Sequence, residues 1–242
     1  MGSRDQHLLK IDLEGRILTL TLDRPPKNEL TDDLLDVLEH ALEAHDEDAD
    51  LVIFTGNGKI FSHGFDLDLL NSWTDVGECR QKLERANRVL RGIHDLKRPT
   101  LAAINGPCFG GGLELALACH FRLCVEKARL GLPELSRGVL PGLGGIHRLS
   151  RLIGNAKAME MIALGDLISA GEALRLNLVN RIYPREGFMS HVRSFAKTLL
   201  MVDRRLMREI LGLITGAPGG TEEDNIQAGI ESFMKFCYGA KK

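Results

Sequence analysis

The most restrictive feature for the fold is the segment RPTLAAINGPCFGGGLELALAC, residues 98–119, in which three consecutive glycines separate two apolar runs. The run TLAAI is typical of a buried strand, and LELALA is typical of a helix. The glycines from Gly106 to Gly112 allow the chain to turn sharply between them. One acidic residue, Glu114, lies in the first turn of this predicted helix. A strand, a turn and a helix in this order indicate an α/β fold.

The remaining pattern agrees with that fold class. LLKIDL and RILTLTLD flank Glu14-Gly15 and predict a β-hairpin, and DLVIFTG predicts a buried strand. Thr31 is the predicted N-cap of a first helix, and an amphipathic helix is predicted over about Gly77 to Leu96. After Gly144 the pattern is mainly helical, with LVNRIYP as the only β-like element. In an α/β fold we expect functional groups in the turns that follow strands.

Composition and charge exclude several classes of function. The formal net charge of -2 provides no basic field for nucleic acid. The five cysteines are odd in number and form no CxxC pair, so they predict neither a disulfide framework nor a zinc site. No apolar run is long enough for a membrane span, and the first residues lack the pattern of a signal or transit peptide. We therefore predict a cytoplasmic protein without a membrane or nucleic-acid partner.

The glycine-rich turn fits none of the common phosphate or nucleophile motifs. GxGxxG, GxxxxGK[ST], GxSxG and HExxH are all absent from the sequence. Backbone N–H groups at a helix N-terminus are unpaired and lie at the positive end of the helix dipole, so Gly110–Gly112 can present donors to an oxyanion. The alternative is that Glu114 only complements the helix dipole.

Two further features favour catalysis. A second glycine-containing loop, IFSHGFDL, follows the strand DLVIFTG and can supply another oxyanion donor. Glu134 in the segment GLPEL is a second carboxylate, twenty residues after Glu114. Two carboxylates beside an oxyanion hole can hold one water molecule and act on it as base and acid.

Four segments together resemble the enoyl-CoA hydratase/isomerase family, the crotonases. They are DRPPKNEL at 23–30, GNGKIFSHGFDL at 56–67, RPTLAAINGPCFGGGLELALAC at 98–119 and LPELSRGVLPGLGGIHRL at 132–149. They occur in the order and spacing of the family, and the similarity covers nearly the whole chain. The resemblance implies a crotonase-like spiral of ββα units over residues 1–195 and a C-terminal helical trimerisation region over residues 196–242. It also implies a homotrimer, or a hexamer built from two trimers.

The resemblance implies a role for five of these residues. Members of the family bind acyl-CoA thioesters and stabilise an enolate with two backbone N–H groups, which here fall at Phe65 and Gly111. In the hydratase branch, the carboxylate that matches Glu114 deprotonates water for attack at C3, and the protonated acid that matches Glu134 donates to C2. Gly142 matches a glycine whose amide helps to hold the water. No metal or redox cofactor is implied, since coenzyme A is part of the substrate.

The resemblance also implies where coenzyme A binds. Its adenine and pantetheine are expected to pack near the segment from His63 to Leu67, which includes Asp66. Its phosphates are expected to contact the basic residues Arg24 and Lys27. A solvated loop charge at Arg24 and Lys27, and a surface histidine at position 63, are the alternatives.

Some positions depart from the family pattern. His63 stands where a small residue is usual, His120 where aspartate is common, and Asn177 where glycine is frequent. The printed sequence ends at YGAKK, where typical members continue with another short segment and a last helix, so the resemblance says least about substrate length and oligomer contacts.

Several alternative functions remain open from the sequence. Isomerisation, dehydration or hydrolysis of an acyl thioester are alternatives within the same family, and an isomerase can work with Glu134 alone. A nucleophilic Cys108 would need a paired histidine, and the sequence identifies none. A non-catalytic scaffold or RNA-binding member would show lost glutamates or a basic face, and neither is present.

Overall fold

The computed structural model describes residues 8–66, 75–216 and 221–238. The strands are β1 (Leu9–Glu14), β2 (Ile17–Leu22), β3 (Leu51–Gly56), β4 (Thr100–Ile104), β5 (Cys108–Phe109), β6 (Phe121–Val125), β7 (Arg129–Gly131), β8 (Ile168–Ser169) and β9 (Arg181–Tyr183). The helices are α1 (Asp32–Ala44), α2 (Val76–Asp95), α3 (Gly111–Ala118), α4 (Gly145–Ile153), α5 (Asn155–Leu164), α6 (Ala170–Arg175), α7 (Phe188–Leu200), α8 (Arg204–Thr215) and α9 (Glu222–Tyr238). A 3-10 helix covers Glu134–Arg137.

Most strands belong to one sheet with the order β1-β2-β3-β4-β6-β9. The hairpin β1–β2 is antiparallel, and every following pair in this order is parallel. Every residue of β3 and β4 is buried, which explains why their sequences are continuous apolar runs and do not alternate. The short strands β5, β7 and β8 form a second sheet.

The chain repeats one structural unit, in which a strand of the large sheet is followed by a short extended piece in a second layer and then by a helix. The clearest examples are β4–β5–α3 and β6–β7, which leads through the 3-10 helix to α4. Isolated bridges continue the second layer, because Leu30 pairs with Phe65 and Ser62 pairs with Cys108, both parallel. The extended pieces of successive units therefore lie side by side, as the predicted spiral of ββα units requires.

Helix α3 lies in the centre of the protein and is fixed at its C-terminal end by the buried side chain of Arg122. All of its residues are buried, from Gly111 to Ala118. The guanidinium of Arg122 donates to the carbonyl oxygens of Cys119 at 2.6 Å and Leu178 at 2.8 Å. A cation at this position also complements the negative end of the helix dipole. The first turn of α3, which carries Glu114, is thereby held in a fixed position.

Most of the predicted elements are confirmed. The hairpin, the N-cap at Thr31, which accepts from the Leu34 N–H at 3.3 Å, and the long amphipathic helix all occur where the pattern places them. The prediction that LVNRIYP is the only β-like element after Gly144 is wrong, because Ile168–Ser169 also pairs with β7. A strand of two residues is too short to show an alternating pattern.

The division between residues 195 and 196 falls within α7, and a separate trimerisation region stays a prediction. The sequence also predicts that the IFSHGFDL loop continues into a short helix, and this prediction falls on residues 67–74, outside the described residues. No helix in the described ranges is long and apolar enough to cross a membrane.

Candidate active site

The glycine turn before α3 packs directly against the loop that follows β3. Gly64 has a φ of 96° and Gly110 a φ of 53°, so both adopt backbone conformations that favour glycine. A Cβ on Gly64 would lie 2.9 Å from the nitrogen of Gly111 and 2.9 Å from the Phe109 oxygen. The two loops can therefore approach this closely only because position 64 has no side chain.

The N–H groups of Phe65 and Gly111 belong to these two loops. A Cβ on Gly111 would lie 3.3 Å from the nitrogen of Phe65, which shows how near the two amides are to each other. Gly111 occupies the first position of α3, and its N–H has no hydrogen-bond partner among the residues described. This arrangement has the form of an oxyanion hole, in which converging backbone donors meet a negatively charged oxygen.

Glu114 is 2% exposed, and its carboxylate faces the loop that leads into α4. Its Oε1 accepts hydrogen bonds from the N–H groups of Leu143 and Gly145, both at 2.8 Å. Burial raises the pKa of Glu114, while these two donors and the positive charge of Arg148 oppose the rise. No described residue donates to Oε2, which leaves that oxygen available for a water molecule.

Glu134 reaches the same region from the 3-10 helix. The pairing of β5 with β7 and the hydrogen bond from the Gly110 N–H to the Gly131 oxygen bring this segment to the glycine turn. A Cβ on Gly110 would lie 3.2 Å from Oε1 of Glu134. Oε2 of Glu134 is buried and has no hydrogen-bond partner among the described residues. Burial, and next the negative charge of Glu114, raise the pKa of Glu134 to about 7.

The two carboxylates are therefore suited to opposite tasks. Donors stabilise the ionised form of Glu114, whereas Glu134 has an unsatisfied buried oxygen, which favours the neutral acid. Two titratable groups that interact but sit in different environments are the usual arrangement of a general base and a general acid. Beside them, the glycine turn can hold the oxygen of a polarised carbonyl.

Gly142 precedes the two donors of Glu114 in the same loop. Its N–H has no hydrogen-bond partner in the described parts of the chain, and its carbonyl oxygen accepts from Nδ2 of Asn87 at 2.8 Å. Gly142 is exposed. Within the described ranges, its N–H is therefore a free donor next to the residues that bind Glu114.

The basic residues predicted to meet coenzyme A form a separate polar cluster. Arg24 makes ion pairs with Asp66 at 2.8 Å and Glu29 at 3.4 Å, and Lys27 pairs with Glu29 at 3.1 Å. The N–H of His63 donates to the carbonyl oxygen of Lys27 at 3.0 Å, which links this cluster to the oxyanion loop.

His63 is partly buried, and its ring lies 5.1 Å from that of Phe109. Burial, and next the charge of Lys27, lower its pKa. Leu67, the remaining predicted substrate-binding residue, lies outside the described residues.

Two departures from the family pattern have structural explanations. His120 Nδ1 accepts from the Thr100 N–H at 3.0 Å, and its Nε2 lies 3.0 Å from the carbonyl oxygen of His94. The proton of this neutral imidazole is therefore on Nε2, and burial lowers the His120 pKa to about 4. Asn177 has a φ of 59°, which explains why glycine is also suitable at its position.

Cys108 is fully buried, and burial raises the pKa of its thiol well above the ordinary value. A thiol in such surroundings is unreactive. A cavity of about 590 Å³ between the large sheet and α7 is lined by residues that include Thr19, Asn105 and Arg193, and neither glutamate borders it. In the part of the chain that the structure describes, no group of three or more His, Cys, Asp or Glu side chains could hold a metal ion.

Sequence reasoning did not identify the residues that position Glu114. The N–H groups of Leu143 and Gly145 come from a loop thirty residues away, and the side chains of Asn87 and Arg148 hold that loop. The pair Gly144-Gly145 was a visible signal, because a Cβ on Gly145 would lie 2.7 Å from Cγ and Oε1 of Glu114. Nothing in the sequence pattern distinguishes Asn87 from other polar residues of its helix.

Comparisons with known proteins agree with this geometry. The family model described as enoyl-CoA hydratase/isomerase matches residues 12–215. A probable enoyl-CoA hydratase of Bacillus subtilis is 41% identical over 174 residues, which cover 71% of this chain and 67% of that protein.

Solved structures extend the similarity to the whole fold. The crystal structure of an enoyl-CoA hydratase from Bacillus anthracis superposes with a TM-score of 0.88 at 30% identity, covering 93% of this chain and 89% of that one. The structure of Pseudomonas aeruginosa DspI superposes with a TM-score of 0.91 at 30% identity, covering 98% and 92%. The predicted α/β fold, a crotonase-like spiral with a C-terminal helical region, is confirmed.

Proposed function

This chain belongs to the enoyl-CoA hydratase/isomerase family, and we propose that it catalyses syn addition of water across the C2=C3 double bond of an enoyl-CoA thioester. The observation that carries the hydratase assignment is the presence of two carboxylates in opposite environments beside one glycine turn. Glu114 has the donors that a base needs to stay ionised, and Glu134 has the burial that an acid needs to stay protonated.

In the proposed reaction the thioester oxygen accepts from the N–H groups of Phe65 and Gly111. Glu114 takes a proton from water while the water oxygen bonds to C3, and the electrons of the double bond move toward the thioester as an enolate. Glu134 then gives its proton to C2. Each oxyanion donor of this kind typically lowers the barrier by about 3 to 4 kcal/mol. Exchange with solvent restores the starting protonation of both carboxyl groups.

We propose that Gly142 completes the water site. Its N–H can donate to the water, and Oε2 of Glu114, whose other oxygen binds the same loop, can accept from it. The reaction uses protons and backbone dipoles, so we propose that it needs no metal and no redox cofactor. Activity that survives dialysis against a chelator would support this, and activity that returns only when a metal is added would contradict it.

The test of the function is turnover of two thioester isomers. We expect the protein to consume crotonyl-CoA, a 2-enoyl thioester, with loss of the absorbance of the conjugated thioester, and the 3-hydroxyacyl product to appear in equal amount. Turnover of a 3-enoyl-CoA without hydration of crotonyl-CoA would favour the isomerase alternative. Tight RNA binding with neither reaction would favour the non-catalytic alternative.

We propose that Arg24 and Lys27 meet the phosphates of coenzyme A, and that residues His63, Asp66 and Leu67 contact its adenine and pantetheine. In the structure, Glu29 and Asp66 form ion pairs with Arg24, and Glu29 also pairs with Lys27. Phosphate binding would therefore compete with these ion pairs. Arg24→Met and Lys27→Met should raise KM for crotonyl-CoA several-fold at unchanged kcat, and a pantetheine thioester without phosphates should show no such effect. An equal loss with both substrates would contradict this placement.

We propose a homotrimer, or a hexamer of two trimers, assembled through the C-terminal helices. Large apolar side chains are exposed on α8 and α9: Leu206, Ile210, Ile214, Ile226, Ile230 and Phe233. Large apolar side chains exposed on two helices that contact each other are typical of an interface. Light scattering after size exclusion should give the mass of three or six chains, and a monomer would overturn the proposal. The free cysteines support a reducing compartment, and we propose the cytoplasm.

A further inference from the structure

The position of the Glu114 carboxylate is set by a separate loop. Both hydrogen bonds to Oε1 come from residues 142–145, and none comes from α3, the helix that carries Glu114. Whatever fixes the peptide groups of this loop therefore fixes the direction in which Oε2 points. The loop itself is rich in glycine, so its own backbone restricts it little.

Two side chains hold consecutive carbonyl groups of this loop. Nδ2 of Asn87 donates to the Gly142 oxygen at 2.8 Å, and Nη1 of Arg148 donates to the Leu143 oxygen at 2.7 Å. The Gly142 carbonyl and the Leu143 N–H belong to one peptide group. Asn87 therefore holds the oxygen of the same peptide whose N–H binds Glu114, and such a chain of hydrogen bonds polarises and orients its members.

Arg148 adds a charge to this arrangement. It lies partly buried against Gly144, where a Cβ would be 2.8 Å from Nη1. The groups that face it are Glu114 from α3, Cys119 directly after α3, and Asp95 and His94 from α2. Glu114 itself faces Glu134 on the other side. Arg148 is thus a cation that favours the ionised form of Glu114.

We propose that Asn87 and Arg148 are positioning residues for Glu114, which orient the peptides of residues 142–145 so that the carboxylate stays ionised and presents Oε2 to water. This inference rests on the proposed function, because it assigns Glu114 the role of the base. It extends the working site to α2 and α4, to two residues whose side chains hold the loop of residues 142–145.

The test compares Asn87→Leu, Arg148→Met and Arg148→Lys with two control variants, Arg88→Leu and Arg151→Met, at exposed positions of the same helices. Hydration of crotonyl-CoA should lose about 10- to 100-fold in kcat in Asn87→Leu and Arg148→Met, with KM within about twofold of wild type. The acidic limb of the kcat–pH profile should move to higher pH in both, further in Arg148→Met. Arg148→Lys should restore the limb, because it keeps the charge.

A purely structural role would give a different result. Folded variants with wild-type kcat, or a loss of kcat with an unmoved acidic limb, would overturn the proposal. The double variant should lose less than the product of the single losses, because both residues act on one loop. Independent losses that multiply would also contradict it.

A readout without turnover separates this inference from the proposed function. The ¹³C resonance of the Glu114 carboxyl group, assigned by its absence in Glu114→Gln, should titrate at higher pH in Asn87→Leu and Arg148→Met than in wild type. If wild type hydrates no enoyl thioester, the proposed function fails, while this titration still decides whether Asn87 and Arg148 keep Glu114 ionised. Identical midpoints would sink the inference alone.

Discussion

The surroundings of Glu114 and those of Glu134 differ in almost every respect, although the two side chains are chemically the same and lie at one glycine turn. Glu114 is on a fully buried helix and receives two backbone donors from a loop that other side chains hold. Glu134 begins a short 3-10 helix in a largely exposed segment, and one of its oxygens is buried without a partner. The comparison shows that environment, and not residue type, assigns the two acid–base tasks.

The difference has a physical origin in what each region must bury. Between β4 and β6 the chain is surrounded on all sides, so an ionised carboxylate survives only with donors supplied for it. The 3-10 helix lies in a more exposed segment after β7. Oε2 of Glu134 has no hydrogen-bond donor there among the described residues, so its carboxyl group can remain neutral. Each prediction below removes one part of this contrast.

The largest expected effect comes from removing either carboxyl group. Glu114→Gln and Glu134→Gln should each lower kcat for crotonyl-CoA by about 10²- to 10⁴-fold, because each removes one proton transfer while keeping the side-chain shape. Binding of a saturated acyl-CoA, measured by calorimetry, should stay close to wild type. Glu186→Gln, at an exposed position, is the control. Equal loss of acyl-CoA binding and turnover would contradict the assignment of the two glutamates as base and acid.

A smaller effect is expected from moving the base without changing it. Gly145→Ala places a methyl group 2.7 Å from Oε1 of Glu114 and should displace the carboxylate, with a loss of about 10²-fold in kcat. Gly171→Ala meets no atom within 4 Å and serves as the matched control, with unchanged kcat. Circular dichroism should show both variants folded. Full activity in Gly145→Ala would mean that Glu114 needs no fixed position.

A still smaller effect is expected in the pH dependence of activity, where each carboxyl group should account for one limb of the profile. Because Glu134 must be protonated to act as the acid and its pKa is raised to about 7, kcat/KM should fall as the pH rises through about 7. Glu114 must be ionised, so activity should also fall at low pH. In the residual activity of Glu134→Gln the alkaline limb should disappear and the acidic limb should remain. An alkaline limb that persists in this variant would assign it to another group.

The smallest effect is on stability. The pKa of Glu134 is higher in the folded protein than its ordinary 4.5, so its contribution to stability is fully present below about pH 4.5 and is lost as the pH rises through about 7. Glu134→Gln, which cannot ionise, should therefore match wild type in Tm at pH 4 and exceed it by about 2 to 6 °C at pH 8. Glu186→Gln should show no such pH-dependent gain. If Glu134→Gln were as stable as wild type at pH 8, or less stable, ionisation of Glu134 would not destabilise the folded protein, and the raised pKa would be contradicted.

The sequence alone was informative where the pattern is local. The strand, glycine turn and helix at residues 98–119, the cap at Thr31, and the hairpin all follow from spacing and side-chain chemistry. The strands β5 and β8 could not be predicted, because two residues carry no periodicity. Their pairing partners are set by the tertiary fold.

For the candidate site, the sequence identified the two glutamates and the glycine turn but not what differentiates them. The donors of Glu114 are backbone groups, which every residue has, so no side-chain signal marks Leu143. Asn87 becomes relevant only because α2 packs beside the loop, fifty-five residues from Gly142. Burial is the largest cause of the raised pKa in both carboxyl groups, and a sequence pattern cannot measure burial.

The parallel bridge between Ser62 and Cys108 has an evolutionary consequence. It anchors the two ends of the segment that joins the Phe65 loop to the glycine turn, so the spacing of the two amides does not depend on the length of that segment. A relative that keeps this bridge can thus keep the spacing of its two amides while side chains elsewhere in the connection change.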